Sequence, residues 1–130
     1  MSENPIRLTQ AEWNVMECLW GAGPLTGREV ALRMEQSCSW SRSTTLTLLS
    51  RLETKCALES VPAEKGPKVF SPLLKREDAA LEEAKDFLDR VYQGSLSLMV
   101  SALTKKQALS RKELDELHEL LKGLEADDHA

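Results

Sequence analysis

No stretch of this 130-residue chain holds more than a few apolar residues in a row. A helix that crosses a bilayer needs about 20, so no segment qualifies. The opening residues, M-S-E-N-P-I-R-L, carry neither an apolar core nor the cleavage pattern of a secretory signal. A cytoplasmic protein with no direct membrane association is expected. Cysteine is scarce: Cys18, Cys38 and Cys56 lie about twenty residues apart, with no C-x-x-C and no adjacent His. That spacing excludes the common zinc patterns, and an odd number argues against a disulfide framework. Cys18 and Cys56 fall in helical patterns among apolar neighbours and are expected as buried thiols, whereas Cys38 sits in a polar turn. Histidine is limited to His118, on a charged helix, and His129, in the tail; both read as surface residues. There is no G-x-x-x-x-G-K loop and no visible nucleophile–base pair. Catalytic residues, metal ligands and cofactors are therefore not expected.

Positive charge is also short overall. The net charge is −4, but it is unevenly placed: residues 1–74 hold eight Lys/Arg and eight Asp/Glu, whereas residues 75–130 hold nine and thirteen. The acidity belongs to the second part. A local patch outweighs the total over a screening length of roughly 8 Å, so a basic reading surface in the first part is compatible with an acidic chain.

The missing acid is most telling between Gln36 and Leu52, where no Asp or Glu occurs. Within this region Ser41–Cys56 reads S-R-S-T-T-L-T-L-L-S-R-L-E-T-K-C. At 100° per residue Thr45, Leu49, Leu52 and Cys56 share one side, flanked by Leu48 and Leu46. The other side collects Ser43, Thr44, Thr47, Ser50, Arg51, Thr54 and Lys55. Short hydroxyls and basic groups on one stripe suit a DNA groove, where they meet phosphates and base edges. Three β-branched Thr residues lower helix propensity, so solubility alone is a poor reason for them.

The neighbours support this reading. Thr9-Gln-Ala-Glu12 is a capping box opening a helix with Trp13, Val15, Met16, Leu19 and Trp20 at helical spacing, and Gly21-Ala-Gly23-Pro24 stops it. Thr26-Gly-Arg-Glu29 is a second box, opening a short helix with Val30, Ala31 and Met34 inward. A Ser-rich turn from Ser37 to Ser41 then leads into the longer helix. Helix, short helix, turn and longer helix is the order of a helix-turn-helix unit. Leu58–Val61 and Lys68–Ser71 alternate around Pro62-Ala-Glu-Lys-Gly-Pro67 and predict a hairpin, a wing that carries Lys65 and Lys68 near its tip. Candidate DNA contacts are therefore Thr26, Ser41, Arg42, Ser43, Thr44, Thr47, Arg51, Lys55, Lys65 and Lys68.

From Lys75 the pattern is helical again. Glu77 to Tyr92 places Ala80, Leu81, Ala84, Phe87, Leu88 and Val91 on one face, and Gly94 breaks it. Ser95 to Thr104 is too apolar for a short exposed helix. Ser110-Arg-Lys-Glu113 is a third capping box, ahead of Leu114, Leu117, Leu121 and Leu124. Three apolar-faced helices appended to a complete small domain bury little alone, and pairing with a second copy solves that economically. The expected architecture is mainly α with a small β-wing: a winged helix-turn-helix over residues 1–74 followed by a three-helix dimerisation domain over 75–130. Candidate dimerisation residues are Phe87, Leu88, Val91, Leu96, Met99, Val100, Leu103, Leu114, Leu117 and Leu121.

L-T-Q-A-E-W-N-V-M (Leu8–Met16) with Leu19-Trp20, T-T-L-T-L-L-S-R-L (Thr44–Leu52) and F-L-D-R-V-Y-Q-G-S (Phe87–Ser95) together resemble the BlaI/MecI/CopY family of bacterial repressors. The resemblance runs from Leu8 to about Leu121. It implies a homodimer that binds double-stranded operator DNA at inverted repeats with TACA/TGTA-like half-sites and blocks transcription. Base and phosphate contacts would gather at Arg42, Ser43 and Thr44, with Thr47 facing the groove and Arg51 as the family's arginine. Leu46 departs from relatives that carry Arg at that position. In the β-lactamase branch a membrane-bound sensor protease triggers cleavage of an Asn-Phe bond. The matching region here is Ser101-Ala102, where neither residue of that bond is present. The copper branch ends in a cysteine-rich metal tail, but this chain ends A-D-D-H-A. A winged helix used for protein contact and a metal-responsive repressor stay open as alternatives.

Overall fold

The computed structural model describes residues 5–128; His129 lies outside them. In chain order the elements are α1 (Gln10–Ala22), β1 (Leu25–Thr26), α2 (Gly27–Cys38), α3 (Arg42–Thr54), β2 (Leu58–Val61), β3 (Val69–Pro72), α4 (Arg76–Tyr92), α5 (Leu96–Lys105) and α6 (Arg111–Asp128).

The helix starts are set locally. Thr9 Oγ1 accepts the Glu12 N–H at 3.1 Å while Glu12 Oε1 accepts the Thr9 N–H at 2.7 Å, a complete capping box. Thr26 and Glu29 repeat it at 3.2 and 2.9 Å. Ser41 caps α3 by accepting the Thr44 N–H at 3.2 Å. The turn between α2 and α3 is made by Ser39, in the left-handed region at φ 58°.

The sheet has three strands in the order β1-β3-β2, all antiparallel. β2 and β3 form the expected hairpin, with Leu58 opposite Pro72 and Val61 opposite Val69. β1 was not foreseen: two residues are too few for an alternation signal. It places Leu25 opposite Phe70 and ties the wing to the start of α2.

The core gathers Val15, Met16 and Leu19 from α1, Val30 and Met34 from α2, and Leu48, Leu49 and Leu52 from α3. Leu25, Ala57, Leu58 and Phe70 close it from the sheet side. Trp20 Nε1 donates to the Leu74 carbonyl at 2.8 Å, fastening the chain after β3 to α1. Arg76, in the first turn of α4, forms a forked pair with Glu17 at 2.7 and 3.1 Å and lies 5.6 Å from the Trp13 ring. That hydrogen bonding from Arg76 holds the Glu17 carboxyl below its ordinary range.

The chain divides into two compact units, one ending at Ala84 and the other beginning at Lys85. The division falls inside α4, later than the 74/75 junction suggested by composition, because Arg76 and the buried Ala79 belong to the first unit's packing. Leu81 and Ala84, expected on the apolar face of α4, are exposed.

The second unit holds the rest of α4 with α5 and α6. Gln93 and Gly94 take φ of 49° and 80° and end α4, as the glycine suggested. Ser95 caps α5 through the Leu98 N–H, and Ser110 accepts the Glu113 N–H, each at 3.1 Å. No residue between 85 and 124 is buried. Leu88, Met99, Val100, Leu103, Leu114 and Leu117 are half-buried, whereas Phe87, Val91, Leu96 and Leu121 are exposed. No helix among the described residues is long and apolar enough to cross a membrane.

Candidate nucleic-acid interface

The structure sorts the α3 side chains as the helical wheel suggested, with two exceptions. Thr45, Leu48, Leu49 and Leu52 face the core, while Arg42, Ser43, Thr44, Thr47, Ser50 and Arg51 are exposed. The first exception is Leu46, which lies at the flank against the start of α2 but is 39% exposed. The second is Cys56, expected as a buried thiol: α3 ends at Thr54 and Cys56, at φ 66°, turns out to solvent. Cys18 and Cys38 are half-buried, and burial pushes the Cys18 thiol up.

The N-terminus of α3 differs from those of α1 and α2. Those two carry Glu12 and Glu29 in their first turns, whereas α3 has no acidic residue there. The partial positive charge of a helix N-terminus is thus left uncompensated at the end where Arg42, Ser43 and Thr44 gather, an arrangement suited to phosphate. The Ser41 hydroxyl lies 3.2 Å from that of Ser43 and 3.0 Å from that of Thr44, so the cap and its neighbours form one hydroxyl cluster. Glu53, the acid of α3, accepts from the Ser60 hydroxyl at 2.6 Å, which ties it to β2.

Lys55 requires a correction. It was expected to face the groove, but its Nζ pairs with Glu12 Oε1 at 2.6 Å and donates to the Arg7 carbonyl at 2.9 Å. The reason is the buried carboxylate: Glu12 is 1% exposed and needs a cation. Burial pushes that carboxyl up, yet the hydrogen bonds from Lys55 and Thr9 and the Lys55 charge outweigh it and hold Glu12 below its ordinary range. Lys55 is thus engaged by Glu12 and the Arg7 carbonyl at the end of α3.

Thr26 combines two tasks, as a strand residue and as the cap of α2. Lys65 is exposed near the wing tip, and Lys68 lies 5.4 Å from the Phe70 ring centre. Between α3, the start of α2 and the wing lies an open recess of about 490 Å³, bordered by Thr26, Gly27, Arg28, Arg42, Leu46, Ser50, Lys68 and Phe70. Arg28 was missed from sequence. It joins Arg42 and Lys68 only because β1 and β3 bring the start of α2 beside the wing, a long-range consequence with no local signal.

Of the candidate cleavage residues, Ser101 is exposed and Ala102 half-buried, both within α5. Among the described residues no group of His, Cys, Asp or Glu is arranged to hold a metal ion.

Three core helices, a short strand and a two-stranded hairpin after the third helix define a winged helix-turn-helix. The sequence profile described as penicillinase repressor matches residues 8–123, and the chain belongs to that family, one of DNA-binding transcriptional repressors rather than enzymes. The penicillinase repressor of Staphylococcus aureus is 27% identical over 95% of this chain and 98% of its own length. That of Bacillus licheniformis is 30% identical over 88% of this chain and 89% of its own. The methicillin resistance regulatory protein MecI of Mammaliicoccus sciuri is 27% identical over 93% and 98%. Among solved structures, B. licheniformis BlaI in monomeric form with the blaP half-operator superimposes with a TM-score of 0.52 at 27% identity, over 58% of this chain and 90% of that one.

Proposed function

We propose that this chain is a sequence-specific transcriptional repressor that binds inverted-repeat operator DNA as a homodimer in the cytoplasm. The observation that carries the reading is the exposed stripe of α3, with hydroxyls along its middle, Arg42 and Arg51 on its flanks, and no acid at its N-terminus. Ser43, Thr47 and Ser50 face the major groove, and Arg42 and the helix N-terminus take phosphate. Arg51 is placed to pair with guanine. Lys65 and Lys68 on the wing meet the adjacent backbone, and Arg28 joins them from α2. The BlaI relative, solved in complex with a half-operator, supports operator DNA as the ligand of this domain.

Pairing of two copies falls to the second unit, whose apolar side chains lack cover. An inducer signal then releases the operator, with Ser101-Ala102 the candidate site for cleavage initiated by a membrane-bound sensor protease. Both residues are helical, so α5 must unwind locally before a protease can hold them in extended form.

The test is an anisotropy titration against a TACA/TGTA inverted repeat and a scrambled duplex at several salt concentrations. Preference for the repeat, two protomers per duplex and steep weakening with salt are expected, because each phosphate contact releases counterions. Equal binding to both duplexes would remove the sequence-specific reading, and no binding at any salt would transfer the α3 surface to a protein partner.

A further inference from the structure

Leu46 is the only apolar side chain between Ser41 and Lys55 that is exposed; Leu48, Leu49 and Leu52 are all buried. A lone exposed leucine on an ordinary surface needs no explanation. This one sits on the wing-side flank of the stripe, one turn from Arg42 and Ser50. It also has a neighbour on α2. Leu46 Cδ2 would lie 3.3 Å from a Cβ built on Gly27, so the side chain packs against the start of α2. Phe70 borders the same recess. Its methyl groups thus lie against α2 on one side and remain exposed on the other.

The major groove offers one apolar feature on its base edges, the 5-methyl group of thymine. Hydroxyls on the same stripe can donate or accept and therefore discriminate bases weakly, and arginine reads guanine. We infer that Leu46 is a specificity-determining residue that reads one thymine per half-site through that methyl group. The inference rests on the operator-binding role proposed above.

Thymine and uracil differ by the methyl alone, so uracil substitution isolates it. Each thymine of the inverted repeat is replaced in turn, symmetrically in both half-sites, and binding is measured by anisotropy at fixed salt. For the unaltered chain, one position should weaken binding about fourfold per half-site, the value of one buried methyl, and about 16-fold with both changed. Leu46→Ala should bind the thymine repeat more weakly and lose the thymine–uracil difference at that position alone. Leu46→Gln, which keeps the stem against Gly27, gives the same reading if the alanine variant does not fold. A repeat in which no thymine is sensitive, or a penalty that persists unchanged in the variants, overturns the inference while leaving the repressor reading intact. Absence of binding to the thymine repeat itself would remove both.

Discussion

The two units treat their apolar side chains in opposite ways. In the first, Val15, Leu19 and Leu52 are fully buried and Leu49 and Leu58 nearly so. In the second, Phe87 and Val91 are each 42% exposed and Leu96 51%, and nothing is buried as far as Leu124. Both are built from helices of similar apolar content, so composition alone does not separate them. The first unit adds a sheet that closes its core from below; the second has only helices with apolar faces. A segment this small seldom stabilises itself without a partner, and scattered burial at the half level is what remains when one side of an interface is viewed alone. The first unit covers its own core, and the proposed pairing of two copies would cover the apolar faces of the second.

That contrast can be broken at several points. The largest effect is expected from Leu49→Ala, which empties a position at the centre of the first unit and should cost about 3–5 kcal/mol in urea denaturation. A loss below about 1 kcal/mol would mean that the first unit's core is not what holds it. Next comes Leu96→Asp combined with Leu121→Asp. Charged groups on the uncovered faces should raise the dimer dissociation constant at least 100-fold, about 2.7 kcal/mol, in sedimentation equilibrium. An unchanged dissociation constant would place pairing elsewhere.

Lys55→Met strands the Glu12 carboxylate and should cost about 2 kcal/mol, less than for a fully buried pair because Lys55 is partly exposed. Operator affinity at matched salt should stay constant, since Lys55 serves the core; a weakened complex in a folded variant would restore it to the groove. The same pair predicts an acid dependence. Glu12 is held below the ordinary carboxylate range, so its contribution is present above that range and lost as pH falls through the lowered value. The Lys55→Met variant should lack this component of acid sensitivity. Arg51→Ala comes last, weakening operator binding by about 1–3 kcal/mol if the guanidinium pairs with guanine, with no change in thermal stability.

Much of the first unit was legible because its signals are local. The capping boxes at Thr9 and Thr26, the inward positions of α1 and α2, and the Gly/Pro turn of the hairpin all depend on residues within a few positions of each other. What escaped depends on distance. β1 exists because Leu25 meets Phe70, and Lys55 is diverted because Glu12, buried on another helix, requires it. Cys56 was misplaced for a different reason: the wheel was extended past Thr54, where the backbone leaves the helix. The division between units shifted into α4 because Arg76 reaches back to Glu17. In the site, exposure of the hydroxyl and arginine stripe followed from periodicity. Arg28 could not be found without the sheet, and Leu46, placed at the flank of the apolar side, proves more exposed than that flank suggested.

The division of labour is tested most directly by comparing residues 1–84 with the full chain on a half-site and on the complete inverted repeat. The fragment should melt cooperatively at a concentration-independent temperature and bind the half-site with the full chain's sequence preference. The full chain should bind the complete repeat 10²–10⁴-fold more tightly than the fragment does, because its second unit makes the second half-site encounter intramolecular. A fragment that binds the complete repeat as tightly as the full chain would contradict the account, and the uncovered helices of the second unit would need another purpose.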